Sequence, residues 1–502
     1  MFHLHIVGTV TQDLLCKPLV AVPTANPWWL YIRLDQLITT TYIPNMKNPK
    51  LPVKKIINLG LPLFAGNFSF YLLQLADTVM VGRLGTANLA AIAMAGLFTG
   101  ILFTFVWPVS IGTQAISSRR FGKQKAANGE LEQHQLALET GKSLDNGIVV
   151  GIFMGFLGML FSFLAKPILN FLIKDPELLP LSLQYISVLR WVLPFYGIMT
   201  SMSGFLGGIN RTRNIMISNV GGSILNIIFN YFFIFGKLGL PSFGIRGAAI
   251  GTVLAGFFQI VYLLSIIRYE KKLVIYNTLG FKNLDITVMK NMFKIFIPVA
   301  IQNIIALAVF LVYDSIIGAI GTVYLAATHV IFSLFRINKT LVGGFAQGSA
   351  ILVGNALGAN KKEYAVKIVY ACQAIAVIIG TFVVITVLIF PDTVMGIFVK
   401  DPQTIKIGVK ALYFFGIFFF IEVMGYSFEI IFGGNGWGRY VLFSEFTSNM
   451  VFIIGLTLLL VFVFNKGIYG AWIGFALYQV FHALLLFIGF LSKKWLYVEV
   501  DK

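Results

Sequence analysis

The sequence predicts an all-α integral membrane protein with twelve transmembrane helices in two six-helix bundles, related by a pseudo-two-fold axis along the membrane normal. Three observations predict it. Hydrophobic residues make up 58% of the 502 residues and charged residues only 12%, against roughly 25% charged in an average soluble domain. Twelve predominantly apolar runs reach the length of about 20 residues that a membrane helix needs. A set of residues in the first half recurs at a nearly constant spacing in the second, the mark of a duplicated unit.

Residues 1–46 stand apart from the rest. They mix Pro18, Pro23, Pro27, Trp28 and Trp29 with polar residues, and they contain neither a membrane-length apolar stretch nor a signal-peptide layout. They are expected to be a leader, non-conserved or disordered, with Met46 as an alternative start. The apolar runs then fall at 56–82, 88–117, 147–165, 181–208, 214–236 and 245–267, and at 294–318, 325–356, 366–390, 407–433, 441–464 and 468–491. Several exceed 25 residues, which allows tilt or a kink, and Pro108 marks a kink in the second. The expected organisation is a bundle over 47–270, a cytoplasmic linker over 271–293, a second bundle over 294–492 and a cytoplasmic tail over 493–502.

The net charge of +18 is a topology signal. Loops on the side of the N-terminus carry 24 Lys and Arg, among them Lys54, Lys55, Arg119, Arg120, Lys271, Lys272, Lys361 and Lys362, while the opposite side carries 9. The positive-inside bias places both termini in the cytoplasm of a cell membrane, and the charge then requires no nucleic acid. Cys16 and Cys372 cannot form a disulfide framework. The five histidines form no H-E-x-x-H, and no Walker or dinucleotide motif is present, so neither an enzyme nor an ATP-driven pump is indicated.

The repeat is specific. Pro62, Gly82, Gly85, Leu89-Ala90-Ala91, Gly112 and Gly122 recur 236 residues later as Pro298, Gly318, Gly321, Leu325-Ala326-Ala327, Gly348 and Gly358. Lys174-Asp175-Pro176 and Gly207-Gly208 recur at an offset of 226, and the Gly244–Ala248 segment at 223. The first half is expected to carry a longer charged loop over 119–146. With six spans in each half both halves start on the same side, a parallel repeat of the transporter type with its substrate site between the halves near the midplane.

The repeated pattern of Pro62, Asp77-Thr78-Val79-Met80-Val81-Gly82, Leu84-Gly85 and Leu89-Ala90-Ala91 resembles the opening of the multidrug and toxic compound extrusion (MATE) family. The resemblance covers about residues 50–490 and includes the Gly208-x-x-Arg211 turn and the Gly244-x-x-Gly247-Ala248-Ala249 entry to span 6. It implies two six-helix bundles around a V-shaped cleft, and export of organic, often cationic or amphipathic compounds in exchange for protons or sodium ions.

Asp77 lies near the outer end of the first span, where an ionised carboxylate is costly enough to mark function. Asn226 and Asn230 share one face of span 5, and Thr252 reaches a similar depth in span 6. The resemblance implies a cation site of a span-1 Asp, a span-5 Asn-x-x-x-Asp pair and a span-6 Thr. Here Asn230 stands where the pattern has an acid, which favours a proton carrier at Asp77, while the amide and hydroxyl oxygens keep sodium open. In the second half Asp314, Glu422 and Glu429 are candidate ion or substrate acids. Glu422 resembles a span-10 acid of the NorM-like branch, but that branch has a span-7 acid where this chain has Gln302 and Asn303. Arg336 and Lys339 of span 8 are the available counter-charges for Glu422 and Glu429.

The expected function is therefore a secondary active exporter working by alternating access, with H+ or Na+ as coupling ion, no cofactor or resident metal beyond such an ion, surrounding lipid as a partner and a monomeric state. The alternatives are a flippase for lipids or lipid-linked saccharides, which the few intramembrane bases disfavour, and a non-transporting receptor or scaffold.

Overall fold

The structure, a computed structural model, describes residues 51–173 and 175–501. The leader expected over 1–46 lies outside the described residues, as do Cys16, Lys174 and Lys502.

Twelve helices are long and apolar enough to cross a membrane. Spans 1 to 6 are Val53–Gly82, Thr86–Ala126, Glu130–Ser162, Leu178–Gly208, Thr212–Phe235 and Ile245–Tyr269; spans 7 to 12 are Ile286–Ile320, Thr322–Gly358, Lys362–Ile389, Pro402–Gly433, Gly438–Val463 and Gly467–Leu491. Span 2 breaks at Trp107 and Pro108, where a ring replaces the amide proton that would continue the ladder. Two short helices, Ala165–Leu172 and Pro391–Phe398, follow spans 3 and 9 at the repeat offset of 226.

One expectation is corrected. The segment 119–146 is not a long loop: span 2 runs to Ala126 and span 3 begins at Glu130. Its charged residues form the helical ends of both spans. Arg120 donates to Asp501 through Nε and Nη2 at 2.8 and 2.6 Å, and Asp145 accepts from the Leu279 amide at 2.6 Å and from Asn283 at 2.6 Å. A helix whose polar stripe is satisfied by the linker and the tail needs no apolar pattern to persist beyond the bilayer.

Local sequence sets the helix ends. Asp285 caps span 7 by accepting from the Thr287 amide at 2.7 Å, and Asp401 caps span 10 by accepting from the amide and the hydroxyl of Thr404. These bonds hold both carboxyls below the usual aspartate range. Gly236, at φ +65°, ends span 5 in the left-handed region where a side chain is strained.

The bundles meet along span 8, whose apolar window is 72% buried against 22% for span 9. On the side of the described chain ends, small residues bring the backbones together in pseudo-symmetric pairs. A methyl group at Gly122 would lie 2.8 Å from the Asn355 carbonyl carbon, and one at Gly358 would lie 2.8 Å from that of Arg119. Arg119 and Asn355 are themselves repeat partners at offset 236. Gly60 against Phe345, and Gly344 against Phe64, extend the contact. Val500 of the tail packs into the apolar cluster of Val109, Ile116, Met292 and Phe296, which joins the halves.

Candidate functional site

Spans 1, 5 and 6 converge in the first bundle. Asn230 Nδ2 donates to Asp77 Oδ1 at 2.7 Å and to Asn226 Oδ1 at 2.7 Å, and Asn226 Nδ2 donates to Thr252 Oγ1 at 3.1 Å. The structure thus brings together all four residues expected there. The i,i+4 spacing aligns both amides on the buried face of span 5; Gly251 of span 6 leaves room for the Asn230 side chain, since a methyl there would collide with its Oδ1. Asn226 and Asn230 are buried, whereas Asp77 and Thr252 are half-buried. Asp77 has no ion-pair partner among the described residues, so the helix-borne carboxylate is held by one amide alone. Tyr185 of span 4 packs against Val81, Ile234 and Ala248, each four residues from Asp77, Asn230 or Thr252 on the same three spans, a contact that the spacing of the other four did not announce.

The second-half acids separate into two places. Asp314 lies 3.5 Å from His329 of span 8, apart from the others. Glu422 and Glu429 border one water-sized space together with Lys339, Tyr426, Gln479 and His482. Glu422 pairs with Lys339 at 3.6 Å and accepts from Asn338 at 3.3 Å. Glu429 accepts from Gln302 at 2.6 Å and lies 3.8 Å from His482 Nε2. Glu445 approaches the same Nε2 at 3.4 Å and also accepts from both Tyr478 and Asn449. Of the two bases available in span 8, Lys339 takes Glu422, while Arg336 donates to Ser333.

Glu445 and His482 were not singled out in the sequence, although the signal was there. Glu445 lies seven residues in from Gly438 and His482 nine residues in from Leu491, so both are ionisable groups at comparable depth on neighbouring spans. The repeat register sharpens this. Gly66, Ser203, Asn219 and Gln259 have Gln302, Glu429, Glu445 and His482 as partners at offsets of 236, 226, 226 and 223. The first four line a central cleft; their counterparts pair within the second bundle. Span 11 winds as a π-helix over Asn449–Leu456, beginning at the residue that donates to Glu445, and such windings gather at functional sites.

The cleft, of about 470 Å³, lies between the bundles beyond the close glycine contacts. Its walls carry Asn67, Tyr71, Gln74, Trp107, Gln114, Tyr196, Asn219, Gln259, Gln347 and Tyr426, with Lys339 on one side and Asn226 and Thr252 on the other. The Asp77 cluster therefore borders the cleft through its amide and hydroxyl members. No cluster of metal-binding side chains occurs among the described residues.

The sequence profile of the MatE family matches residues 62–232 and 298–459, one match in each half. A probable multidrug resistance protein NorM of Mannheimia succiniciproducens is 23% identical over 458 residues, covering 89% of this chain and 95% of that protein. The NorM of Thermotoga maritima is 24% identical, covering 90% and 95%. Among solved structures, a MOP superfamily transporter from Pyrococcus furiosus, described as having a binding pocket of reverse polarity, superposes with a TM-score of 0.78 at 20% identity, covering 90% of this chain and 98% of that one. A MATE protein in the bent conformation superposes with a TM-score of 0.78, covering 89% and 97%. The two matched halves, the twelve spans and the duplicated bundles agree, and the chain belongs to the MatE family.

Proposed function

We propose that this protein is a secondary active multidrug exporter, in which inward movement of H+ or Na+ through the first bundle drives efflux of organic amphipathic compounds by alternating access. The observation that carries the proposal is the hydrogen-bonded chain from Asp77 through Asn230 and Asn226 to Thr252, because its last two members border the central cleft. Charge on Asp77 and occupancy of the cleft are then physically linked. Asp77 is the ion-accepting group, and Asn226, Asn230 and Thr252 supply amide and hydroxyl oxygens. A change of charge at Asp77 alters the hydrogen bonding between spans 1 and 5 and so the relative energy of two bundle arrangements; coupling follows only because the ion binds those arrangements differently. Glu422 and Glu429 are the second-bundle acids facing the cleft through Lys339, and Asp314 belongs to a separate contact with His329.

In this reading the bundles are 47–270 and 294–492, joined by a linker over 271–293 whose last eight residues are already the first turns of span 7, and both termini are cytoplasmic. The close glycine contacts then form the cytoplasmic gate and the cleft faces outward. The multidrug names of the NorM relatives support the substrate class.

The test is efflux of a fluorescent amphipath from proteoliposomes, with a pH gradient and a sodium gradient imposed separately, for the wild type and Asp77→Asn. Efflux driven by one gradient and lost in the variant is the expected result. Gradient-driven efflux that survives the substitution would move coupling to the second bundle, and well-folded wild type that moves no substrate under either gradient would overturn the exporter reading.

A further inference from the structure

The resemblance to exporters of organic cations leads one to expect carboxylates in the wall of the cleft. Among the described residues, the lining contains none. Its single charged group is Lys339, whose side chain is 37% exposed, while Glu422 behind it is 2% exposed. Asp77 is set back behind Asn226 and Thr252, and Glu429 and Glu445 are engaged with His482. A ligand in the cleft therefore meets an ammonium at contact range and carboxylates only beyond other side chains.

Lys339 also keeps donor capacity. An ammonium has three N–H donors. One faces Glu422 at the long separation of 3.6 Å, and the head lies 5.2 Å from the ring of Tyr426. The half-exposed remainder points to the cleft. Tyr426 lies beside it, and the rest of the cleft wall offers Gln347, Gln259 and the rings of Trp107 and Tyr196, which suit a flat aromatic body.

We propose that Lys339 is the specificity-determining residue of the cleft, and that the cleft takes aromatic amphipaths bearing an anionic group, such as a carboxylate, in preference to the same ring system without one. This rests on the reading of the cleft as the transport site. A carboxylate arriving at Lys339 exchanges a long, buried ion pair for a shared one, with the ammonium bridging the ligand and Glu422. An organic cation without an acid finds aromatic faces but, at contact range, an ammonium rather than an anion.

The experiment compares a rhodamine free acid with its methyl ester, which share one cationic ring system and differ only in the carboxylate. Binding to the purified full-length chain in detergent is read by fluorescence polarisation. Wild type is expected to bind the acid about tenfold more tightly than the ester, the scale of one hydrogen bond to a charged group. K339R should keep the preference and K339Q should abolish it. Because K339Q leaves Glu422 buried without its cation, K339Q/E422Q serves as the second variant, with a neutral pair in place of the ionic one; the ratio should again fall to near unity. E422Q alone, which frees the ammonium, should tighten acid binding. Wild type that prefers the ester or fails to bind the acid, or a ratio unchanged in both K339Q and K339Q/E422Q, would overturn the proposal. Gradient-driven efflux of the two dyes separates it from the exporter reading: acid-selective binding without efflux sinks the exporter and leaves the selectivity, whereas efflux that favours the ester sinks the selectivity alone.

Discussion

Replacing Gly122 and Gly358 with alanine should open the gate formed on the side of the chain ends. Each added methyl group would stand 2.8 Å from a carbonyl carbon of the opposing bundle and closer still to its oxygen. Ordinary contact begins at 3.4 Å, so the two backbones must part by roughly 1 Å, and forcing extra methylenes into a packed contact costs about 1–3 kcal/mol. Alanine also raises helix stability by about 1 kcal/mol over glycine, but that gain is present whether the gate is open or shut and cancels from the conformational equilibrium. Each substitution should therefore shift the equilibrium away from the closed gate by about 5- to 150-fold while leaving the fold at least as stable. The assay is a distance distribution between spin labels at Lys125→Cys and Lys361→Cys, both exposed positions at this end of the molecule, with Cys16 and Cys372 replaced. The short-distance population should fall in the double alanine variant, with a melting temperature no lower than that of the wild type. Gly96 and Gly100, which have nothing within 4 Å of an added methyl, are the controls and should show no shift. An unaltered short-distance population in the double variant would refute the assignment of these glycines to a gate.

Two further outcomes follow from side chains that hold the scaffold. Asp285→Ala removes the cap of span 7 and should lower stability by about 0.5–1 kcal/mol, read as a melting temperature in detergent. Since the Thr287 amide holds the Asp285 carboxyl below its ordinary value, the difference between wild type and variant should be complete above the unfolded aspartate value of about 3.9 and should vanish as pH falls through the lowered folded value. His482→Gln removes the Nε2 that both Glu429 and Glu445 approach, a loss on the scale of about 3–5 kcal/mol for breaking a buried charged contact. The double variant E445Q/H482Q should recover part of that loss; a double variant as unstable as H482Q would show that the imidazole is not held there by charge.

Hydrophobicity and duplication carry the fold in this sequence, because lipid as solvent forces long apolar helices whose ends are marked by charge and glycine. The twelve runs consequently coincide with the twelve spans to within about five residues at each end, except where span 2 runs on to Ala126, span 3 begins at Glu130 and span 7 begins at Ile286; the extensions of spans 2 and 3 carry a polar face that the linker and tail satisfy. Apolar periodicity cannot report such a helix. The first-bundle site was legible because its four residues sit at one depth on three spans with a one-turn spacing between Asn226 and Asn230. The second-bundle network was half legible: Glu422 and Glu429 stand out as intramembrane acids, but the pairing of Glu429 with Gln302, and the approach of both Glu429 and Glu445 to His482 Nε2, depend on the rotation of spans 7, 11 and 12 about their axes. The π-helical winding at Asn449–Leu456 alters that rotation, and no residue in the stretch signals it. The charge of the cleft was hidden for the same reason, since whether Lys339 or Glu422 faces the opening depends on which side of the bundle interface each helix presents.

The central claim is that Asp77 carries the coupling ion and gives it up when substrate enters. Its most direct test is ion release from the purified protein on addition of a transported compound, followed with a pH-sensitive dye in weak buffer and, in parallel, with radioactive sodium. The wild type should release one of the two ions in step with binding, and Asp77→Asn should release neither while still binding the compound. Release of undiminished size from Asp77→Asn would contradict the account and place the exchanging ion elsewhere in the protein.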